Sequence, residues 1–160
     1  MQYKSHLTAI QRKNLSRPAK FLHDKGFLTG TILDYGCGRG SDVKFLSELG
    51  YDCDGYDPHY QPILSDKLYD TVMCNFVLNV ISDFEERYKV LISIIKHCKE
   101  NAYVCVRNDV KRLNGETSKG TYQEHITLAY PILQQNSDYT IYRIMGNLLT
   151  KPTKKSKVKA

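Results

Sequence analysis

The pattern of apolar and polar positions divides the chain into short strands alternating with helices. Ser16 ahead of Arg17-Pro18 predicts a short helix over Pro18–Lys25 with Phe21 and Leu22 inward, ended by Gly26. Thr31–Tyr35 (TILDY) is an apolar run of strand length with a carboxylate near its end. Val43, Leu46 and Leu49 then recur at helical spacing, Phe45 widens that face, and Gly50 stops the helix. Tyr51–Tyr56 is the next strand, closing on Asp57-Pro58. Tyr69–Cys74 (YDTVMC) has the composition of a buried strand, with Asn75 and Phe76 at its carboxyl end. Leu78–Ile81 begins or precedes a helical segment. Asp83 is placed to cap a long helix over Phe84–Lys99, with Tyr88, Leu91, Ile92, Ile95 and Cys98 as its inner stripe. Tyr103–Arg107 (YVCVR) is a further strand, and residues 108–121 are a polar loop. A helix is expected from Tyr122 to about Gln134, bent or ended by Pro131. A last strand is expected over Tyr139–Leu149, with a bulge near Gly146.

This order predicts an α/β fold with a central, mostly parallel sheet of about five strands flanked by helices. Residues 58–68 are too few for the helix and third strand of a standard doubly wound domain, so that strand is expected to be missing or minimal. Three regions follow: a basic helical lead-in over 1–30 that covers the cleft, a domain over 31–150, and a disordered lysine-rich tail over 151–160.

Charge sharpens that division. The formal net charge of +6 is unevenly placed: residues 1–30 carry six Lys or Arg against one Asp, residues 31–150 are mildly acidic, and residues 151–160 carry five lysines. Basic ends can raise encounter rates with a polyanion or can simply solubilise. No run approaches 18 apolar residues, which excludes a membrane-spanning helix, and the first ten residues lack the apolar core of a signal peptide. Five cysteines, an odd number with no CxxC pair, fit reduced thiols in a cytoplasmic protein and argue against a disulfide scaffold or a zinc site.

The strongest chemical signal is Asp34-Tyr35-Gly36-Cys37-Gly38-Arg39-Gly40 between the first strand and its helix. Glycines there let backbone approach a ligand, and the helix start that follows favours negative atoms. Asp57, at the end of the next strand, is placed to accept hydrogen bonds from ribose hydroxyls. The glycine spacing is GxGxG, not the GxGxxG of dinucleotide sites, and no Walker lysine follows. A carboxylate at Asp34 would repel a pyrophosphate and would suit an ammonium and a sulfonium. A purely structural turn is the bland alternative.

Residues 31–57 resemble motif I and the following acid of class I S-adenosylmethionine-dependent methyltransferases, and the resemblance extends over roughly residues 30–107. It implies a compact Rossmann-like fold and S-adenosylmethionine as cofactor, with S-adenosylhomocysteine as product. It also implies that Asp34, Gly36 and Gly38 line the methionine part, with Tyr35 and Cys37 in the same loop, that Asp57 holds the ribose, and that Tyr56 and Pro58 flank the adenine pocket. Asn75 and Phe76 fall where such enzymes close over the methyl-transfer centre. A narrower set of segments is similar to methyltransferases associated with bacterial DNA phosphorothioation gene clusters: His6–Ile10, Leu15–Pro18, Asp34–Gly40, Tyr56–His59, Phe76–Ile81 and Gly120–Gln123. With the third strand missing, adenine is expected against backbone and apolar groups around Asn75–Leu78, with Asp66 as a lesser substitute for the lost acid.

Methyl transfer needs orientation and solvent exclusion more than a general base. Asn75 and Arg107, at the carboxyl ends of two strands, are the catalytic candidates. Asn79, Asn108, Asp109, His59 and His125 are further polar groups, each with a structural reading beside it. Asn75-Phe76-Val77-Leu78 lacks the two prolines and the aromatic of an amino-directed DNA methylase, and no cysteine follows a proline as a cytosine C5 enzyme requires. Arg12, Lys13, Arg17 and Lys20, with the tail, make DNA or RNA the first partner expectation. A small-molecule methyltransferase, a cofactor-binding module needing a partner protein, and more distantly an NAD-linked oxidoreductase are the alternatives.

Overall fold

The structure is a computed structural model and describes residues 3–110 and 115–146. Residues 147–160, including the whole lysine-rich tail, and residues 111–114 of the polar loop lie outside the described residues. Six strands form one sheet in the order β2-β1-β3-β4-β8-β7. β1 (Thr31–Tyr35), β2 (Asp52–Tyr56), β3 (Tyr69–Asn75) and β4 (Cys98–Arg107) run parallel, and β7 (Ile132–Gln135) and β8 (Tyr139–Met145) add an antiparallel edge. Two residues each, β5 (Gly115–Glu116) and β6 (Tyr122–Gln123), pair as a separate ribbon. Residues 58–68 hold no helix or strand, so β2 is followed directly by β3 on the other side of β1.

Side-chain alternation along the strands makes two cores. Leu33, Tyr35, Val72, Cys74, Ala102, Val104 and Val106 face α3 (Phe84–His97), while Ile32, Met73, Tyr103 and Cys105 face α1 (Arg17–Asp24) and α2 (Ser41–Glu48). A sheet buried on both faces explains why these strands read as nearly continuous apolar runs.

Several expectations shift. α3 keeps Leu91 and Ile95 of the expected stripe against the core but centres it on Ile94, which is fully buried with Val90 beside it, and leaves Tyr88 59% exposed. Cys98 is buried but already belongs to β4. In α2 Leu46 is buried, Leu49 is 53% exposed, and the polar Ser41 and Asp42 are buried instead. The helix expected over 122–134 does not form. Residues 122–123 pair with 115–116, and Pro131 precedes β7, whose hairpin with β8 supplies the sixth strand. Gly146 lies beyond β8 and is no bulge; its backbone packs so closely on Cys98 and Lys99 that a Cβ would meet the Lys99 carbonyl at 2.6 Å and the Cys98 carbonyl at 2.8 Å. The irregularity falls between Ile132 and Gln134 instead.

Buried Asp42 has a clear task. Its two oxygens accept from the Ser16 amide at 2.7 Å and the Ser16 hydroxyl at 2.6 Å. Ser16 in turn caps α1 by accepting from the Ala19 amide. One carboxylate therefore ties the lead-in to the first turn of α2. Replacing it with Ala leaves buried Ser16 donors unpaired, so Asp42→Ala is expected to lower unfolding free energy by about 1–3 kcal/mol. Urea denaturation checks this, and an unchanged midpoint would refute it.

Candidate functional site

The turn after β1 is held from its neighbour strand. The amides of Gly36 and Cys37 both donate to the Tyr56 carbonyl, at 2.7 and 2.9 Å, and the Gly38 amide donates to Asp57 Oδ2 at 3.1 Å. Gly36 sits at φ +80°, with Val77 so near that a Cβ would meet its methyl at 2.2 Å. Gly38 is at φ +54° with Ala9 over it. Left-handed backbone and close approach from two sides both demand glycine here.

Asp57 is built into the same corner. Its Oδ1 accepts from the His59 and Tyr60 amides at 2.9 and 3.0 Å, which together with Gly38 occupies three of about four acceptor positions. The remaining position on Oδ2 is available to a ligand hydroxyl. Asn75 ends β3 with Oδ1 buried and without a hydrogen-bond partner. Phe76 follows at φ +61°, the one non-glycine in the left-handed region among the described residues. Its amide donates to Cys105 O at 2.9 Å, which fixes the strained turn.

These groups meet in one cavity of about 480 Å³, a size typical of small-ligand sites. Tyr35, Gly36, Cys37, Gly38, Tyr56, Asp57, Pro58, Asn75 and Phe76 all line it. So do Val77, Val80 and Ile81, whereas Leu78 and Asp66 do not. Two further walls complete the cavity, and only the second was not read from the sequence. The first is the lead-in itself: Ser5, His6, Thr8, Ala9, Ile10 and Arg12 line the cavity, with the His6 ring stacked on His59 at 4.0 Å and the Tyr60 hydroxyl donating to His6 O. The second is a face of α3 made by Glu86, Lys89, Val90 and Ser93. Their three- and four-residue spacing was visible, but Ser93 and the charged pair look like an ordinary wet face.

Two expected site residues lie elsewhere. Asp34 is 3% exposed and is not part of the cavity wall. Alternation along β1 sends it to the face of Ile32, under the turn, and Tyr35 to the face of α3. Burial pushes the Asp34 carboxyl well above its usual range, and nearby Asp42 pushes it further while Arg12 opposes. Arg107 ends β4, where its backbone amide donates to Asn79 Oδ1 at 2.8 Å and its guanidinium grips Asp109 at 2.9 and 2.7 Å. It lines a second cavity that shares only Arg12 and Phe76 with the first, so it is not grouped with Asn75. Asn79 and Asn108 are braces: Asn79 Nδ2 donates to Glu124 O, and Asn108 Nδ2 donates to Asn136 O and Thr140 Oγ1. His125 lines a groove against α3.

Cys37 lines the cavity but is no nucleophile at neutral pH. Burial, with Asp34 and Asp57 nearby, pushes its thiol up to about 12. Among the described residues no cluster of three or more His, Cys, Asp and Glu could hold a metal ion, and no helix is long and apolar enough to cross a membrane.

A family model described as a methyltransferase domain matches residues 5–129. No curated protein matches the chain. Among solved structures, magnesium protoporphyrin IX methyltransferase from Synechocystis PCC 6803, with bound SAM, is 16% identical and superposes with a TM-score of 0.51 over 81% of this chain and 76% of that one. The 1,6-didemethyltoxoflavin-N1-methyltransferase of Burkholderia thailandensis gives 14% identity and 0.55 over 81% and 77%. The N-methyltransferase NodS of Bradyrhizobium japonicum WM9 gives 11% identity and 0.52 over 81% and 84%. At these identities the likeness is one of fold.

The Asp34 environment makes a prediction with a defined sign. A carboxyl whose folded pKa is raised binds its proton more tightly in the folded protein, so it costs stability as pH rises above its unfolded value near 4. Asp34→Asn removes that cost. The variant is expected to gain on the wild type progressively from pH 4 to pH 7, measured as urea midpoints at each pH. A difference that stays constant across that range would contradict the buried-carboxyl assignment.

Proposed function

We propose that this chain, which belongs to the methyltransferase-domain family, uses S-adenosylmethionine and transfers its sulfonium methyl to a small-molecule nucleophile at the Asn75–Phe76 end of β3. The observation that carries this reading is the meeting of the glycine turn, Asp57 and the unpartnered Asn75 Oδ1 in one cavity.

The residues present fit the donor. Gly36 and Gly38 leave backbone bare for close approach, and Asp57 Oδ2 has an acceptor position for a ribose hydroxyl. Asn75 Oδ1 would accept from an N–H of the methionine part, a pairing that relieves the cost of a buried, unpaired oxygen. Tyr35, Tyr56, Val77 and Val90 offer an apolar slot for the base in place of the contact a third strand would give. S-adenosylmethionine, when bound, supplies an electrophilic methyl on a cationic sulfur. The chain's own part is to orient the reactants and exclude water, which the lead-in wall of His6, Ala9 and Arg12 serves.

A small-molecule acceptor is favoured over nucleic acid by how the lead-in cations are used. Arg17 pairs with Asp138, Lys20 pairs with Asp24, and Arg12 is half-buried at the cavity. Among the described residues Lys4, Lys13 and Lys25 form no ion pair, and three lysines spread over 22 residues make a sparse track for phosphates, on which nucleic-acid affinity depends. The narrower likeness to phosphorothioation-associated enzymes names a lineage and brings no acceptor with it.

Calorimetry with S-adenosylhomocysteine is expected to show one site per chain, and Asp57→Ala to weaken it by about 10- to 100-fold, the loss of a hydrogen bond to a charged group. NAD is expected not to bind. Labelled S-adenosylmethionine offered with metabolite pools, DNA and RNA then reads the acceptor class. Binding of NAD with none of S-adenosylhomocysteine would sink the reading, and turnover seen only after adding cell extract protein would move it to a module completed by a partner.

A further inference from the structure

Beyond Phe76 lies a polar cavity of about 360 Å³ that shares Arg12 and Phe76 with the glycine-turn cavity. Two of its three arginines are neutralised in place. Arg107 holds Asp109 through both forks, at 2.9 and 2.7 Å, and Arg17 pairs with Asp138 while lying 5.5 Å from the Tyr139 ring centre. Arg12 differs. Its backbone amide is fixed on Ser41 Oγ at 2.9 Å, it is half-buried, and among the described residues it forms no ion pair within 4 Å. The carboxyl that influences it, Asp34, lies under the turn outside both cavities and is held toward its neutral form. A partly desolvated guanidinium therefore stands at the junction of the two cavities with no ion-pair partner within 4 Å among the described residues.

We propose that Arg12 is the anchor for an anionic group, carboxylate or phosphate ester, of a small methyl acceptor bound in this second cavity. The inference rests on the methyltransferase reading above and names the acceptor class for it. A guanidinium presents a planar fork that matches two anionic oxygens. The neighbouring Arg17 and Arg107 are occupied, so the cavity carries one surplus positive charge and a single anionic group neutralises it. Phe76 and Tyr139, edge to face at 6.4 Å, provide an apolar wall for the rest of the molecule. An acceptor anchored there has its other end at Phe76, which both cavities share, beside Asn75. A polyanion would need several open cations in a row, and the flanking arginines are committed to Asp109 and Asp138.

The test is an NMR titration of the ¹⁵N-labelled protein with benzoate, phenyl phosphate, neutral benzamide and a short DNA duplex, with and without S-adenosylhomocysteine. Benzoate or phenyl phosphate is expected to shift the amides of Phe76, Arg107 and Tyr139, and whichever binds tighter identifies the anion. Benzamide at the same concentration is expected to leave them in place. Arg12→Gln is expected to weaken the anion at least tenfold, with Arg12→Lys keeping part of the affinity. Equal shifts from benzoate and benzamide, full affinity in Arg12→Gln, or shifts at these residues from the duplex alone would overturn the proposal. The wild-type comparison of benzoate with benzamide decides even where Arg12→Gln does not fold. Loss of S-adenosylhomocysteine binding would count against the methyltransferase reading, while the anion response measured without it still judges this one.

Discussion

A single bare turn governs the architecture. The backbone of Gly36 to Gly38 is approached by Val77 from the end of β3, by Ala9 from the lead-in, and by the Tyr56 carbonyl and Asp57 from β2. Three segments far apart in sequence can converge only because no side chain stands between them. The cavity is the space left over where their convergence stops, and its polar groups are those that the converging segments bring: the Asp57 carboxylate, the Asn75 amide and the Arg12 guanidinium.

Electrostatics around that turn are economical. Asp42 is satisfied by Ser16, Asp57 by three amides, and Asp34 is held by burial toward its neutral form. Arg12 stands beside this acidic corner without an ion pair among the described residues, and it reaches the cavity from the segment that also forms the wall. Closing the cleft and supplying its cation are therefore one structural event, carried by residues 5–16. A lead-in that let go would expose the cavity and remove its cation together.

Much of this was legible. Period and punctuation located β1, α2, β2, β3 and the caps of α1 and α3, because glycine, proline and capping residues act locally. The GxGxG spacing and the acid after β2 pointed to residues that do meet in one cavity, and the shortness of residues 58–68 foretold the missing strand. The failures have physical causes. Tyr122–Gln134 carries a weak helical pattern, and pairing with 115–116 and with β8 overrides it. Tyr88 looked apolar enough for the core, but the phase of α3 is set by Ile94 against the sheet. Asp34 abuts the glycines in sequence, yet a one-residue alternation turns its side chain to the face opposite Tyr35, off the cavity wall. The end of a strand makes Arg107 a candidate reactive group, and what no strand pattern shows is that its fork closes on Asp109 two residues later. The α3 wall of the cavity follows from tertiary packing that no local pattern announces.

The abbreviated connection after β2 leaves that strand as the border of the sheet. Its outward row would be a template for another chain's backbone, and such borders invite fibrous association. Here the border carries Asp52 and Asp54, with Lys67 of the connecting segment 3.9 and 3.7 Å away. An intruding strand would have to strip water from that charged trio before gaining a backbone bond. The trimmed sheet thus carries its own guard against self-propagation, and the strand it lacks need not be supplied by a neighbour.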